Sequence, residues 1–320
     1  MELLKALTSI TAPSGSEEAI RRFISENILN YCDNLTTDTL GNLIALKRGT
    51  SSTPKNIMFA AHMDEVGIII TYIDDNNFAR FSNLGRISLQ GLLNAKVVFT
   101  SGTIGIVRSE AKSSEKLTAD KMFIDPIVGK INVGDCAVFS SRFDEGGDFV
   151  SSKSLDDRVG CYILIRLLRE IKSANDNLYF VFTCQEEVGL RGARTSAYGI
   201  TPDLAIAIDV TPAYDYPCDQ KSSIKLGAGP AVKIKDNSVL CHPTVKELLI
   251  SSADKLGINY QLEVLTRGGT DAGAIHQIKS GVPSGVLSIP TRYIHTMAEV
   301  ASKQDIENAV NILKTAIKSL

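Results

Sequence analysis

The chain has 320 residues, 44% of them hydrophobic and 22% charged, with a formal charge of −2. This is the balance of a globular protein of one large domain or two, and it offers neither a basic stripe for a phosphate backbone nor an acidic tail. Nucleic acid is therefore not expected as a partner. The six cysteines are scattered without a C-x-x-C pair, which predicts reduced, mostly buried thiols rather than a disulfide framework.

In chain order, the opening MELLKALTSITAPSGSEEAI has an acidic residue at position two and no long apolar core. It has the pattern of neither a signal peptide nor a membrane helix, so a cytoplasmic protein without a membrane partner is expected. In PSGSEEAIRRFISENI, Ser14 and Glu17 have the spacing of a capping box, and apolar positions then recur at helical spacing. GNLIALKRG and KNIMFAAH read as strands. From about Val66 to Val150 the character changes to short alternating or β-branched runs, VGIIITYI, NAKVVFTSGTIGIV and GDCAVFSS, separated by Gly, Asn, Asp and Ser. That predicts a small β-rich domain. After SKSLDDRVG, helices alternate with apolar strands again: a helix from about Arg158 to Ile171, strands LYFVFT, LAIAIDV and SGVLSI, a helix near 243–256 and a last one near 305–317. Residues 1–65 and 151–320 are thus expected to form one discontinuous α/β domain, with residues 66–150 as a β-rich insert. RGGTDAG, residues 267–273, reads as a tight turn, because it lacks the Lys-Ser/Thr of a phosphate loop.

Chemistry concentrates where the apolar strands end. IMFAAHMDE supplies His62 and Asp64, LYFVFTCQEE supplies Glu186 and Glu187, LAIAIDV supplies Asp209, and GVLSIPTRYIHT supplies His295. In open α/β sheets that edge is where ligands bind, so these side chains can converge on one crevice. Asp156 and Asp157, ahead of a helix, add to the set, although either residue alone is more simply a helix cap. Two histidines with several carboxylates and no cysteine suit zinc, cobalt or manganese. On an extended segment Glu186 and Glu187 would point to opposite sides, one binding metal and the other facing the attacking water. Asp64, two residues beyond His62, could accept the free ring N–H of that histidine.

Together AAHMDEVG, KSLDDRVG, CQEEVGLRGA, AIAIDVT, GGTDAG and IPTRYIHT resemble the motifs of the dinuclear metallo-aminopeptidases that build tetrahedral (TET) particles, relatives of glutamyl and deblocking aminopeptidases. The motifs occur in the family's order across nearly the whole chain. The resemblance implies an α/β zinc-peptidase domain of mixed sheet flanked by helices, interrupted by a small β-barrel-like dimerisation domain. It implies that His62 and Asp209 hold one divalent metal ion and Glu187 and His295 a second, Zn2+ or Co2+ with Mn2+ as a further option, and that Asp156 bridges the two. Glu186 would be the general base and Asp64 the residue that orients His62. It also implies a dimer-based homo-oligomer, up to a dodecamer. One departure bears on the assembly: the family's Pro-Pro-His is missing and PIVGKINVGD follows FID almost at once, which leaves dimer and dodecamer both open.

The reaction so implied is release of N-terminal residues from short peptides, a water shared by the two metals attacking while Glu186 carries its proton to the departing amine. Some relatives bear an endoglucanase label. A glycosidase needs only two carboxylates flanking the scissile bond and has no use for two histidines and Asp209 at a common edge; the chain also lacks tryptophan to line a sugar cleft. A deacylase of N-acyl amino acids and a non-catalytic binding protein are the other readings.

Overall fold

The computed structural model describes residues 1–112 and 115–320; Ser113 and Ser114 lie outside the described residues. The chain opens with helices α1 (Glu2–Ser9) and α2 (Glu18–Ile28), the hairpin β1 (Asn34–Thr37) and β2 (Leu43–Lys47), and the central strand β3 (Asn56–His62). It then leaves the main body for β4 (Gly67–Ile73), β5 (Ala79–Leu84), the single turn α3 (Leu89–Leu92), β6 (Lys96–Phe99), β7 (Ile104–Ser109), β8 (Met122–Val128) and β9 (Cys136–Phe139). It returns through β10 (Asp144–Gly146) and β11 (Phe149–Ser152) into α4 (Leu155–Glu170) and β12 (Asn177–Thr183). The remainder is α5 (Arg191–Ile200), β13 (Leu204–Pro212), β14 (Ala231–Lys235), α6 (Pro243–Leu256), β15 (Gln261–Val264), α7 (Asp271–Ile275), β16 (Ser284–Arg292), β17 (Glu299–Ser302) and α8 (Lys303–Ser319).

One mixed sheet runs β1-β2-β12-β3-β13-β16-β17-β11-β10, with β14 and β15 attached at β16. Its four inner strands, β12, β3, β13 and β16, are mutually parallel, and Thr183 stands in register with His62. Strands of this kind must be covered on both faces, and the sequence of β3 shows how. Ile57, Phe59 and Ala61 enter the core shared with α1, α2, α4, α6 and α8. Met58 and Ala60, alternating with them, face α5 and α7. Because both faces are sealed by helices, polar side chains of these strands gather at the open carboxyl edge.

The strands β4-β5-β8-β7-β6-β9 close on themselves as an antiparallel barrel. Its separate core includes Ile68, Ile70, Phe81, Val97, Phe99, Val107, Ile124 and Phe139. The mixed sheet with flanking helices and the small barrel match the fold class expected from the sequence. The runs VGIIITYI, NAKVVFTSGTIGIV and GDCAVFSS all lie in barrel strands, whereas β10 and β11 pair at the edge of the main sheet.

Two local expectations change. The capping box at Ser14 and Glu17 does not form, since α2 begins without a side-chain cap; both side chains are drawn into tertiary contacts described below. RGGTDAG turns at Gly268, which has φ 77°, but Asp271 then opens the short helix α7.

A buried ion cluster fastens α1 to the start of α4. Arg158 is fully buried and donates to the carbonyls of Met63 at 2.9 Å, Ile10 at 3.2 Å and Leu7. It also pairs with Glu65 at 3.2 Å, whose other oxygen accepts from Lys153 at 2.6 Å. Removing one partner of such a cluster leaves the others desolvated without compensation. Arg158→Met should therefore destabilise the fold by about 3–5 kcal/mol, read as a lower urea-unfolding midpoint; an unchanged midpoint would contradict this role.

Candidate active site

The carboxyl edge of the inner strands brings together every site residue expected from the sequence. His62 ends β3, Asp209 lies in β13 past the point where that strand's pairing with β3 stops at Ala207, and His295 follows β16 by three residues. Asp156 and Asp157 sit at the head of α4 in non-helical conformations, joined by a cis peptide bond. The carboxylate of Asp156 faces two histidines at once, Oδ1 lying 3.0 Å from Nε2 of His62 and Oδ2 lying 3.2 Å from Nε2 of His295. Glu187 Oε1 is 3.0 Å from the same His295 nitrogen, while Asp209 Oδ1 and Glu186 Oε2 each lie 4.0 Å from Nε2 of His62. Ligand atoms of His62, Asp156 and Glu187 fall within 4.8 Å of one another, as do those of His62, Asp157 and Asp209.

The two adjacent aspartates divide their work. Both oxygens of Asp157 are taken by main-chain donors, Oδ1 by the N–H of Gly160 at 2.9 Å and Oδ2 by the N–H of His62 at 3.2 Å. The bond to Gly160 is the helix-cap contact that the sequence allowed for either residue. Asp156 instead keeps both oxygens toward the histidines.

Glu186 and Glu187 are not alternate residues of an extended strand. β12 stops at Thr183, and Gln185 takes the left-handed conformation with φ 55°. Both carboxylates therefore turn toward the histidine pair. Asp64 holds the turn from behind: its Oδ1 accepts the N–H of Glu186 at 3.0 Å and its Oδ2 the N–H of Glu187 at 3.2 Å, with the Ser14 hydroxyl donating to Oδ2 at 2.6 Å. Nδ1 of His62 meets the main-chain carbonyl of Asp64 at 3.1 Å, with the carboxylate farther off at 3.5 Å. The contact expected of the Asp64 carboxylate is thus made first by its backbone.

The electrostatics are lopsided. The carboxyls of Glu186, Asp157 and Asp209 are each pushed well above the ordinary range, first by burial and then by neighbouring carboxylates. Glu187 is raised as well, chiefly by burial. Burial also works against ionised Asp156, but the hydrogen bonds from His295 and His62 outweigh it and hold that carboxyl below its ordinary value. Burial disfavours the His295 cation, yet Asp156 and Glu187 push its pKa up to about 12. So many buried carboxylates around two imidazoles leave an excess of negative charge that bound cations would neutralise.

Sequence reasoning missed Glu299. It is buried, and its two oxygens accept the N–H of Asp156 at 2.9 Å and of His295 at 2.8 Å. Its position four residues after His295 carries no signal of its contact with Asp156.

A family model described as M42 glutamyl aminopeptidase matches residues 41–312. The chain belongs to the M42 glutamyl aminopeptidase family. It is a hydrolase of the aminopeptidase kind. A relative from Acetivibrio thermocellus is 47% identical over 325 residues, covering 99% of this chain and 98% of that one. The solved aminopeptidase APDkam598 of the archaeon Desulfurococcus kamchatkensis is similar with a TM-score of 0.95 at 39% identity, covering 100% of this chain and 94% of that one. The TET1 peptidase of Pyrococcus horikoshii, which can assemble into a tetrahedron or a large octahedral shell, is similar with a TM-score of 0.89 at 31% identity, covering 100% and 99%.

In this M42 chain Asp64 supplies the acceptors for both glutamate N–H groups, so its loss should disturb the site. Asp64→Ala should lower turnover of a free-amine peptide about 10–100-fold, the usual effect of losing a partner that orients a site. Steady-state kinetics would check it, and parent-level turnover would contradict the role.

Proposed function

We propose that this aminopeptidase is a dinuclear metalloenzyme that releases N-terminal residues from short peptides, with Glu186 as general base. The observation that carries the reading is the divided carboxylate of Asp156, one oxygen toward His62 and the other toward His295. That arrangement suits a bridge between two cations. His62, Asp156 and Asp209 would hold one divalent ion, and Asp156, Glu187 and His295 the other. Imidazole and carboxylate donors without thiolate fit Zn2+ or Co2+, and accept Mn2+. Ions bound there supply Lewis acidity that makes water a better nucleophile and polarises the scissile carbonyl.

The chain's own residues do the rest. Glu186, held by its main-chain N–H at Asp64, takes a proton from the attacking water on its carboxylate and returns it to the nitrogen of the departing amine. Asp64 and Glu299 fix the backbones that carry the donor side chains. Asp157 does the same for the main chain at His62.

The division expected from the sequence, a catalytic domain of residues 1–65 and 151–320 with an insert of residues 66–150, belongs to the same reading, with the return boundary moved to about residue 140 because β10 and β11 pair with the main sheet. The barrel would be the dimerisation unit of a homo-oligomer. The TET1 neighbour's ability to assemble into a tetrahedron or a large octahedral shell supports a homo-oligomer. Among the described residues no helix is long and apolar enough to cross a membrane, and we place the enzyme in the cytoplasm.

Glu186→Gln should keep its metal and lose about 10²–10⁴ in turnover, the range of general acid–base catalysis. Metal content and kcat, measured on the same preparation, test this; near-normal kcat would remove Glu186 from the role. A chelator should abolish release of residues from free-amine peptides, with zinc or cobalt restoring it. Turnover confined to N-acylated substrates would favour the deacylase instead.

A further inference from the structure

Four consecutive main-chain N–H groups in the segment that carries the two glutamates donate to side-chain oxygens. Cys184 donates to Asn42 Oδ1 at 3.0 Å, Gln185 to Glu17 Oε1 at 3.1 Å, Glu186 to Asp64 Oδ1 at 3.0 Å and Glu187 to Asp64 Oδ2 at 3.2 Å. Asn42 sits at the mouth of β2, and Asp64 follows β3. Glu17 comes from farthest away, from the turn just before α2, where its Oε1 also accepts the N–H of Gly15 at 2.7 Å.

Gln185 is where the direction of the segment is set. A left-handed conformation costs a residue other than glycine roughly 1–2 kcal/mol, so something must hold the turn. Glu17 is the acceptor of its N–H, and the N–H of Arg191 closes on its carbonyl at 3.2 Å from the far side. Glu17 is 4% exposed and makes no ion pair among the described residues. A carboxylate so buried, with no cation beside it, is held by the N–H groups it accepts. Its side-chain partners are main-chain N–H groups, those of Gly15 and Gln185.

We propose that Glu17 is a positioning residue for the aminopeptidase reaction. Acting through the N–H of Gln185, it holds the left-handed turn that aims Glu186 and Glu187 into the site. The inference rests on the reading of Glu186 as base, and it extends the working site to the segment before α2.

The surroundings make the proposal testable without unfolding the protein. Gly15, Glu17, Arg21 and Gln185 border a cleft of about 640 Å³. Water from this cleft can take the place of a truncated Glu17 side chain, so Glu17→Ala leaves no donor stranded in an apolar core. The turn would lose its fixed acceptor while the fold remains.

The experiment compares the parent holoenzyme with Glu17→Ala, Glu17→Gln and Glu186→Gln on one free-amine peptide. It adds amide hydrogen exchange of residues 184–190 in the same holoenzymes, a readout independent of turnover. Glu17→Ala should lower kcat about 10–100-fold with KM and metal content near the parent values, and it should speed exchange at Gln185. Glu17→Gln, which keeps an acceptor oxygen in the same place, should restore most of kcat and the slow exchange. Parent-level kcat in Glu17→Ala would overturn the proposal. So would a joint loss of kcat, KM and thermal stability that Glu17→Gln fails to rescue, since that marks a purely structural residue. Parent-level turnover by Glu186→Gln would remove the underlying reading instead, which separates the two failures.

Discussion

The site depends on one carboxylate shared between two imidazoles. Asp156 can meet both His62 and His295 only because β3 and β16 run parallel with β13 between them, all ending at the same edge. The two histidines come from opposite flanks of that three-strand group, and α4 delivers Asp156 between them. Glu299 then ties the main chain at Asp156 to the main chain at His295. A change in strand order or in the entry to α4 would separate the donors, so the topology of the sheet is part of the chemistry.

The same geometry concentrates negative charge. Asp157 and Asp209 are buried, Glu186 beside them is only slightly exposed, and each resists ionisation in the absence of cations. Folding such a cluster without compensation is unfavourable. The nearby cationic side chains are engaged elsewhere: Lys153 and Arg158 with Glu65, and Lys233 with Glu263. The charge excess and the divided Asp156 carboxylate are independent features that both suit a pair of metal ions.

The chemistry-bearing residues of the site and the residues that support them differ in how far apart in sequence their partners lie. His62, Glu186, Glu187 and Asp209 stand directly in or after apolar strand runs, so the sheet-edge argument reached them without any contact information. The insert announced itself as β-rich through its short β-branched runs, whereas its barrel form was implied only by the family resemblance. The supports were hidden because they act across the fold. Glu17 reaches Gln185 over 168 residues of chain, and Glu299 reaches Asp156 over 143. Ser14 and Glu17 have the local spacing of a helix cap, but partners distant in sequence claim both side chains. Glutamine is no marker of a left-handed turn, so the bend at Gln185 left no trace either, and the expectation of an extended Glu-Glu pair failed there.

The most direct test of the account is to locate and count metal in the folded protein, by elemental analysis of the purified subunit and anomalous diffraction from its crystals. Two ions per subunit are expected, one beside His62 and Asp209 and the other beside Glu187 and His295, with Asp156 touching both. A single ion, or ions bound away from Asp156, would contradict it.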